Sequence, residues 1–262
     1  MELREAIGRR RSIRFVDPDR PVEIEKVQRM LEAARIASHW GNVQSLRAVV
    51  VMRDTAEPDV INAIEAPIAG WQLRVAPVII VWYLDTAAVD EQGDRLRELL
   101  DAGALGFGPD KKKGLEEGLI PIFDGILPVL KEPGLGEVDC GQGIAQATLM
   151  AFEQGLGTCC LGTPHTEKIR VNLGLPEACR VLVLQTVGYP LEDPAAGGQR
   201  PRRPFGELFH LNGYGNAFPR SEAVVDELTS DGMFTAPAPL PGREEELEEL
   251  RVKLGLKGHG LF

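Results

Sequence analysis

The stretch DCGQGIAQATLMAFEQG, residues 139–155, carries no lysine or arginine and is apolar on most of its faces. A helix that is apolar nearly all round has to be covered on several sides. The chain must therefore build layers around this segment rather than lay it on a surface. Asp139 is placed to cap its start, and Gly155 to end it.

The covering layers are legible nearby. RAVVVM (47–52), APVIIVW (76–82) and RVLVLQTVGYP (180–190) read as buried strands, and LGTCCLG (156–162) as a strand entering a tight turn. VEIEKVQRMLEAARIA brings Val27, Met30, Leu31 and Ala34 to one helical face, and a further helix is expected over 56–69. PHTEKIRVNLG reads as a short helix with Pro164 in its first turn. Strands and helices interleave without a strict βαβ rhythm, no GxGxxG follows a strand, and no GxxxxGK[ST] occurs. The pattern predicts an α+β sandwich, one mixed sheet with helices on both sides.

Residues 86–138 are the least regular part, with DEQGDRLRELLDAG, FGPDKKKG and IPIFDGILPVL in succession. They read equally well as a surface insertion or as a lid over a substrate. Beyond residue 212 the chain continues through Pro-rich and acidic segments to REEELEELRVKLG, where Leu247, Leu250 and Leu254 form a helical stripe. The domain expected over 1–212 thus contains the variable 86–138 segment, and 213–262 forms an extension that packs on its own or on a partner subunit.

Charge narrows the function. With 29 Lys and Arg against 39 Asp and Glu, the net charge is −10. Such a chain as a whole repels nucleic acid and anionic membranes, so any polyanion site must be local. No run of about 18 apolar residues is present to span a membrane. MELREAIGRRR has no apolar core of a secretory signal, so a cytoplasmic location is expected. Cys140, Cys159, Cys160 and Cys179 have no metal-binding spacing and are expected to be buried thiols.

Against this acidic background, two basic clusters stand out. In IGRRRSIRF an extended backbone would put Ser12 and Arg14 on one face and Arg11 and Ile13 on the other. Arginine forks match phosphate bidentately, and a serine hydroxyl adds a short-range donor. In QRPRRP the prolines hold Arg200 and Arg202 on a common face. Each cluster by itself reads also as solvated surface; together they could converge on one dianion. SHWGNVQS (38–45) adds Asn42 and Gln44, suited to a heterocycle edge, and Trp40, suited to stacking.

RRRSIRF before a Pro and a helix, LEAARIASHWGNVQS, DCGQGIAQATLMAFEQGLGTCCLG, GLPE before RVLVLQTVGYP, and RPRRPFGELF follow one another in an order that resembles the FMN-dependent nitroreductase superfamily. The resemblance covers about residues 5–212 outside 86–138. It implies a three-layer α+β sandwich with a central, mainly antiparallel sheet. It also implies an intertwined homodimer with two FMN molecules in its interface, and NAD(P)H as electron donor. On that resemblance Arg10, Arg11, Ser12 and Arg14 would bind the phosphate, ribityl chain and pyrimidine edge of FMN, with Arg200 and Arg202 at the phosphate. His39, Trp40, Asn42 and Gln44 would approach from the other subunit, and Leu161, Gly162 and Thr163 would form the turn facing flavin N5 and O4. Flavin N5 would carry the chemistry, with His39 a candidate proton donor, and Trp40, Phe107 and Phe123 would receive an aromatic acceptor such as a nitro or quinone compound. Ser38-His39 and Ser45-Leu46 depart from the family's usual Pro-Ser and Pro-Trp. That departure leaves room for a specialised relative, such as a dehydrogenase, dehalogenase or flavin-consuming enzyme, or for a flavin binder without rapid turnover.

Overall fold

The computed structural model describes residues 1–261. Its sheet has four strands, β1 (Leu46–Met52), β2 (Val78–Asp85), β3 (Gly157–Leu161) and β4 (Cys179–Gly188). They lie in the order β1-β2-β4-β3, and every named pair is antiparallel. The N-terminal arm extends this sheet beyond β3. Ser12 makes a parallel bridge with Thr158, and the Ile13 N–H donates to the Thr158 carbonyl at 2.9 Å. Gly157 lets the arm lie this close, since a Cβ there would meet the Ile13 side chain at 2.6 Å.

Helices cover both faces. The principal ones are α1 (Leu3–Arg9), α2 (Ile24–Arg35), α3 (Gln92–Asp101), α4 (Ile120–Leu130), α5 (Leu135–Glu153), α6 (Thr166–Asn172), α7 (Glu222–Ser230) and α8 (Arg243–Lys253). On one face Val27, Met30 and Ala34 of α2 and Ala147 and Ala151 of α5 pack on Val78, Ile80, Trp82 and Val187. The polar groups inside this layer are paired. Trp82 Nε1 donates to Gln185 Oε1 at 2.8 Å, and Gln185 Nε2 to Thr148 Oγ1 at 2.9 Å. On the opposite face Ile64, Leu73, Ile169 and Leu175 cover Ile79, Val81 and Leu184. This is the expected three-layer α+β sandwich, with α5 in the layer that its composition demanded.

Several local expectations are corrected. The helix expected over 56–69 is only Pro58–Asn62, with a second short helix at Trp71–Val75. Pro67 removes a backbone donor and disfavours a helical Ala66, and Ala69 is left-handed at φ 52°. Asp139 does not cap α5, which starts four residues earlier, where Glu137 accepts from the Gly134 N–H at 2.7 Å. Pro164 precedes α6 rather than sitting in its first turn. β1 is only partly buried, as an edge strand is. Cys160 is exposed, whereas the other three thiols are buried.

The 86–138 segment is mostly helical, not irregular. Pro121 falls in the first turn of α4, where its missing N–H costs little, and Leu96, Leu100, Leu115 and Ile120 form a small core against Phe123. The C-terminal helix α8 lies on its own chain. Leu247, Leu250 and Leu254 pack against Phe15 and Trp71, and Trp71 Nε1 donates to the Gly260 carbonyl at 2.8 Å.

Candidate functional site

The two basic clusters meet. Arg10, Arg11, Ser12 and Arg14 from the arm, Gln199, Arg200 and Arg202 from the linker, and Ile7 and Phe234 line one cleft of about 460 Å³. No carboxylate is among the lining residues. The arm's alternation is as expected: Ile13 is buried, and Ser12 and Arg14 are partly open. Arg11 turns inward, donating to the Gly8 and Arg10 carbonyls at 2.6 and 2.8 Å and to Thr235 Oγ1 at 2.6 Å. Its Nε is buried without a partner.

Electrostatics at the cleft is one-sided. Burial, and then the charges of Arg10, Arg200 and Arg202, hold the Arg11 guanidinium below its ordinary pKa. Burial also lowers Arg200, followed by the charges of Arg14 and Arg243, against an upward pull from Glu192. Crowded guanidinium groups with no acid among them are stabilised by a multiply charged anion.

The cleft has a brace that sequence reasoning missed. Glu192 is buried, and its Oε1 accepts the backbone N–H of Arg14 at 2.5 Å and of Phe15 at 3.0 Å. Its Oε2 pairs with Arg243 at 2.5 Å, where the two side chains are 0% and 10% exposed. Gln199 ties in the same region. It accepts the Thr235 N–H at 3.0 Å and donates to the Met233 carbonyl at 3.1 Å, while its backbone bridges Ala236 and Ala238. Phe234 in the cleft wall and Arg243 in the brace both belong to the C-terminal extension. No local sequence signal marks Glu192, which stands beside Asp193 in PLEDP.

The turn after β3 lies along the same sheet edge. Leu161 is three residues from Thr158, which pairs with Ser12. At about 3.3 Å per strand residue this puts the turn roughly 10 Å from the arm. Leu161 is buried, and a Cβ on exposed Gly162 would meet open space. Thr163 Oγ1 donates to the Glu65 carbonyl at 3.0 Å and accepts the His165 N–H at 3.1 Å.

The 38–45 segment is elsewhere. It leads into β1, at the sheet edge opposite β3. Three strand spacings of about 4.8 Å separate the two edges by roughly 14 Å. His39, Gln44, Arg35 and Arg47 line a groove of about 290 Å³ with Leu31, Ala34, Leu46, Ala48 and Trp82. Gly41, Asn42 and Gln44 are all left-handed, at φ 51°, 57° and 55°. Asp139 accepts the Trp40 N–H at 2.8 Å and stands 4.0 Å from His39 Nδ1, which is buried and without a hydrogen bond. Burial lowers the His39 pKa, against the pull of Asp139. Trp40 and Phe123 stack on each other, centroids 5.5 Å apart. Phe107 is 95% exposed and belongs to neither group.

Comparison with known proteins agrees with this architecture. The nitroreductase family model matches residues 7–73 and 131–189, the two blocks that hold the arm and the strands β1, β3 and β4. The chain belongs to the nitroreductase family. An NADH dehydrogenase of Thermus thermophilus is 30% identical over 208 residues, 74% of this chain and 89% of that protein. A nitroreductase from Exiguobacterium sibiricum, solved in complex with FMN, superposes with a TM-score of 0.65 at 20% identity, covering 81% of this chain and 98% of that one. An NAD(P)H:FMN oxidoreductase from Staphylococcus epidermidis gives 0.64 at 16% identity, covering 80% and 95%. The unmatched span between the two family blocks, 74–130, contains most of the helical insertion. Among the described residues no helix is long and apolar enough to cross a membrane.

Proposed function

We propose that the protein is an FMN-dependent NAD(P)H oxidoreductase, active as a homodimer, that passes electrons to a nitroaromatic or quinone-like acceptor. The observation that carries this reading is the convergence of Arg10, Ser12, Arg14, Arg200 and Arg202 on one cleft with no acidic lining. That donor set fits a phosphate dianion, and the β3 edge leads from it toward an exposed turn, as a long ligand with one charged end requires. FMN, when bound, supplies hydride acceptance from the nicotinamide and delivery of the reducing equivalents to the second substrate.

The chain's own residues divide the work. Arg10, Ser12, Arg200 and Arg202 hold the phosphate, and Arg14 faces the flavin pyrimidine edge, where its charge stabilises negative charge near N1 and C2=O. The turn Leu161-Gly162-Thr163 presents backbone donors to N5 and O4. His39, Trp40, Asn42 and Gln44 sit about 14 Å across the sheet from that edge, so a second copy has to bring them to the same flavin. The groove beside His39 and Gln44, lined by Leu31, Ala34, Leu46 and Trp82 with Arg35 and Arg47, supplies surface for such a pairing. Burial pushes the His39 pKa down, against the pull of Asp139. Trp40 and Phe123, already stacked, offer the acceptor an aromatic wall.

The test is direct. Purified protein is expected to be yellow, to run as a dimer and to release FMN on denaturation, and anaerobic NADH or NADPH is expected to bleach it within seconds. A chain that neither carries nor takes up FMN overturns the reading. A flavin that stays oxidised with both nicotinamides points instead to a flavin binder without rapid turnover.

A further inference from the structure

Glu192 raises a problem that the fold solves in an unexpected way. A buried carboxylate lies directly behind the arginine cleft, with Oε1 on the backbone of Arg14 and Phe15. It holds the arm in shape. It also offers the cleft's own guanidinium groups a partner that competes with any bound anion. Its second oxygen is taken by Arg243, which is nine-tenths buried and fixed from its other side by Glu246 at 2.8 Å. Glu246 Oε1 in turn accepts the Asp193 N–H at 2.6 Å, next to Glu192 in sequence. Arg200 is close enough to Glu192 and Arg243 to feel the charge of both, and its recorded hydrogen bond, at 2.9 Å, is to the Ala196 carbonyl rather than to an acid.

We propose that Arg243, donated by the C-terminal extension, is a positioning residue for the anion site: by saturating Glu192 it keeps Arg200 free to bind phosphate. The inference rests on the FMN reading above and extends it to the last helix of the chain. Without Arg243, Glu192 is a buried charge lacking a partner for Oε2, a costly state. The nearest guanidinium groups that can relieve it are those of the cleft. Once Arg200 turns inward, the phosphate loses one of its ligands. The strap that delivers Arg243 is itself anchored at the cleft. A Cβ on Gly8 would collide with Gly232 and Met233 at 2.4 Å, so this part of the extension lies directly on the end of α1.

The experiment compares FMN with riboflavin, which lacks the phosphate, by flavin-fluorescence titration of full-length protein stripped of flavin. Arg243→Met is expected to weaken FMN at least about tenfold while riboflavin affinity stays within about twofold, so that the FMN-to-riboflavin preference collapses. The double variant Glu192→Gln with Arg243→Met keeps an acceptor for the Arg14 and Phe15 N–H groups but has no charge to neutralise. It is expected to recover most of the preference. That recovery separates positioning from simple damage to the tail, which would weaken both flavins and persist in the double variant. An Arg243→Met protein with the wild-type preference, or a double variant as defective as the single one, overturns this inference alone. A wild type that holds FMN no tighter than riboflavin overturns the FMN reading and this inference with it.

Discussion

The two edges of the sheet are built on opposite principles. At the β3 edge, five basic side chains and a serine stand on a backbone tied by long-range hydrogen bonds, from Glu192 to the Arg14 and Phe15 N–H groups and from Gln199 to Thr235, while the Arg11 side chain donates to Thr235. At the β1 edge, the 38–45 segment is held by apolar stacking, by three left-handed residues and by one carboxylate, Asp139. The first edge is complete within one chain and specific for charge. The second presents a more apolar groove, with Arg35 and Arg47 also in its lining. A site assembled from both would bind its cofactor through the charged edge and choose its substrate through the apolar one. Changes at the charged edge should then alter flavin affinity and leave stability almost untouched, and changes at the apolar edge should do the reverse.

The largest break is expected from Arg10→Ala combined with Arg200→Ala. Each removes a hydrogen bond to a charged group, about 1.5–3 kcal/mol, so FMN affinity should fall at least about a hundredfold while riboflavin affinity and the melting temperature barely move. Fluorescence titration reads the first and thermal unfolding the second. Equal loss of both flavins would show that the arm supports the fold rather than the phosphate. Asp139→Ala probes the other edge. It leaves the Trp40 N–H without its acceptor in a partly buried site, a cost toward the lower end of about 1–3 kcal/mol. Calorimetry should show the melting temperature falling by several degrees, with the FMN-to-riboflavin ratio unchanged.

The sequence made the charged edge legible because its signal is local. RRRSIRF and QRPRRP name their own chemistry, and the strand alternation of Ser12, Ile13 and Arg14 predicts which side chains face out. The sheet was legible for the same reason, from short apolar runs. What escaped depends on distant pairing. Nothing in PLEDP says that Glu192 will sit under Arg14, 178 residues away in sequence. Nor does REEELEELRVKLG announce that its first residue completes an anion site. Local rules also misled where tertiary packing overrode them. The 86–138 segment read as the least regular part of the chain, yet IPIFDGILPVL is helical, with Pro121 in its first turn and Pro128 inside it, and its apolar residues Ile120 and Phe123 pack with Leu96 and Leu100. Asp139 looked like a helix cap and instead serves the backbone of Trp40.

Two smaller predictions sharpen the contrast. Phe123→Ala removes one ring of the Trp40 pair. Such pairs contribute about 0.5–1.5 kcal/mol beyond simple burial, so a loss of about 1 kcal/mol is expected in denaturant unfolding, half-buried as Phe123 is. The KM for an aromatic acceptor should rise with FMN affinity unchanged. An unchanged KM would remove Trp40 and Phe123 from the substrate wall and leave them as core.

The smallest effect is a pH dependence owed to His39. Burial holds its imidazole below the ordinary value, so the folded chain binds fewer protons there than the unfolded chain does. Stability therefore rises with pH through this window. Its contribution is intact above the unfolded imidazole value, about 6.5, is lost as pH falls below that value, and levels off once the folded group also takes up its proton. Asp139 pulls the other way and narrows the window, because a protonated His39 would face a carboxylate 4.0 Å from Nδ1. His39→Asn should flatten the melting-temperature profile between about pH 8 and 5 relative to wild type, and the Asp139→Ala background should steepen the wild-type slope by removing the one charge that favours protonation. A profile indifferent to His39 would mean that the groove opens to water at this residue, and that the apolar edge is less closed in the single chain than its packing indicates.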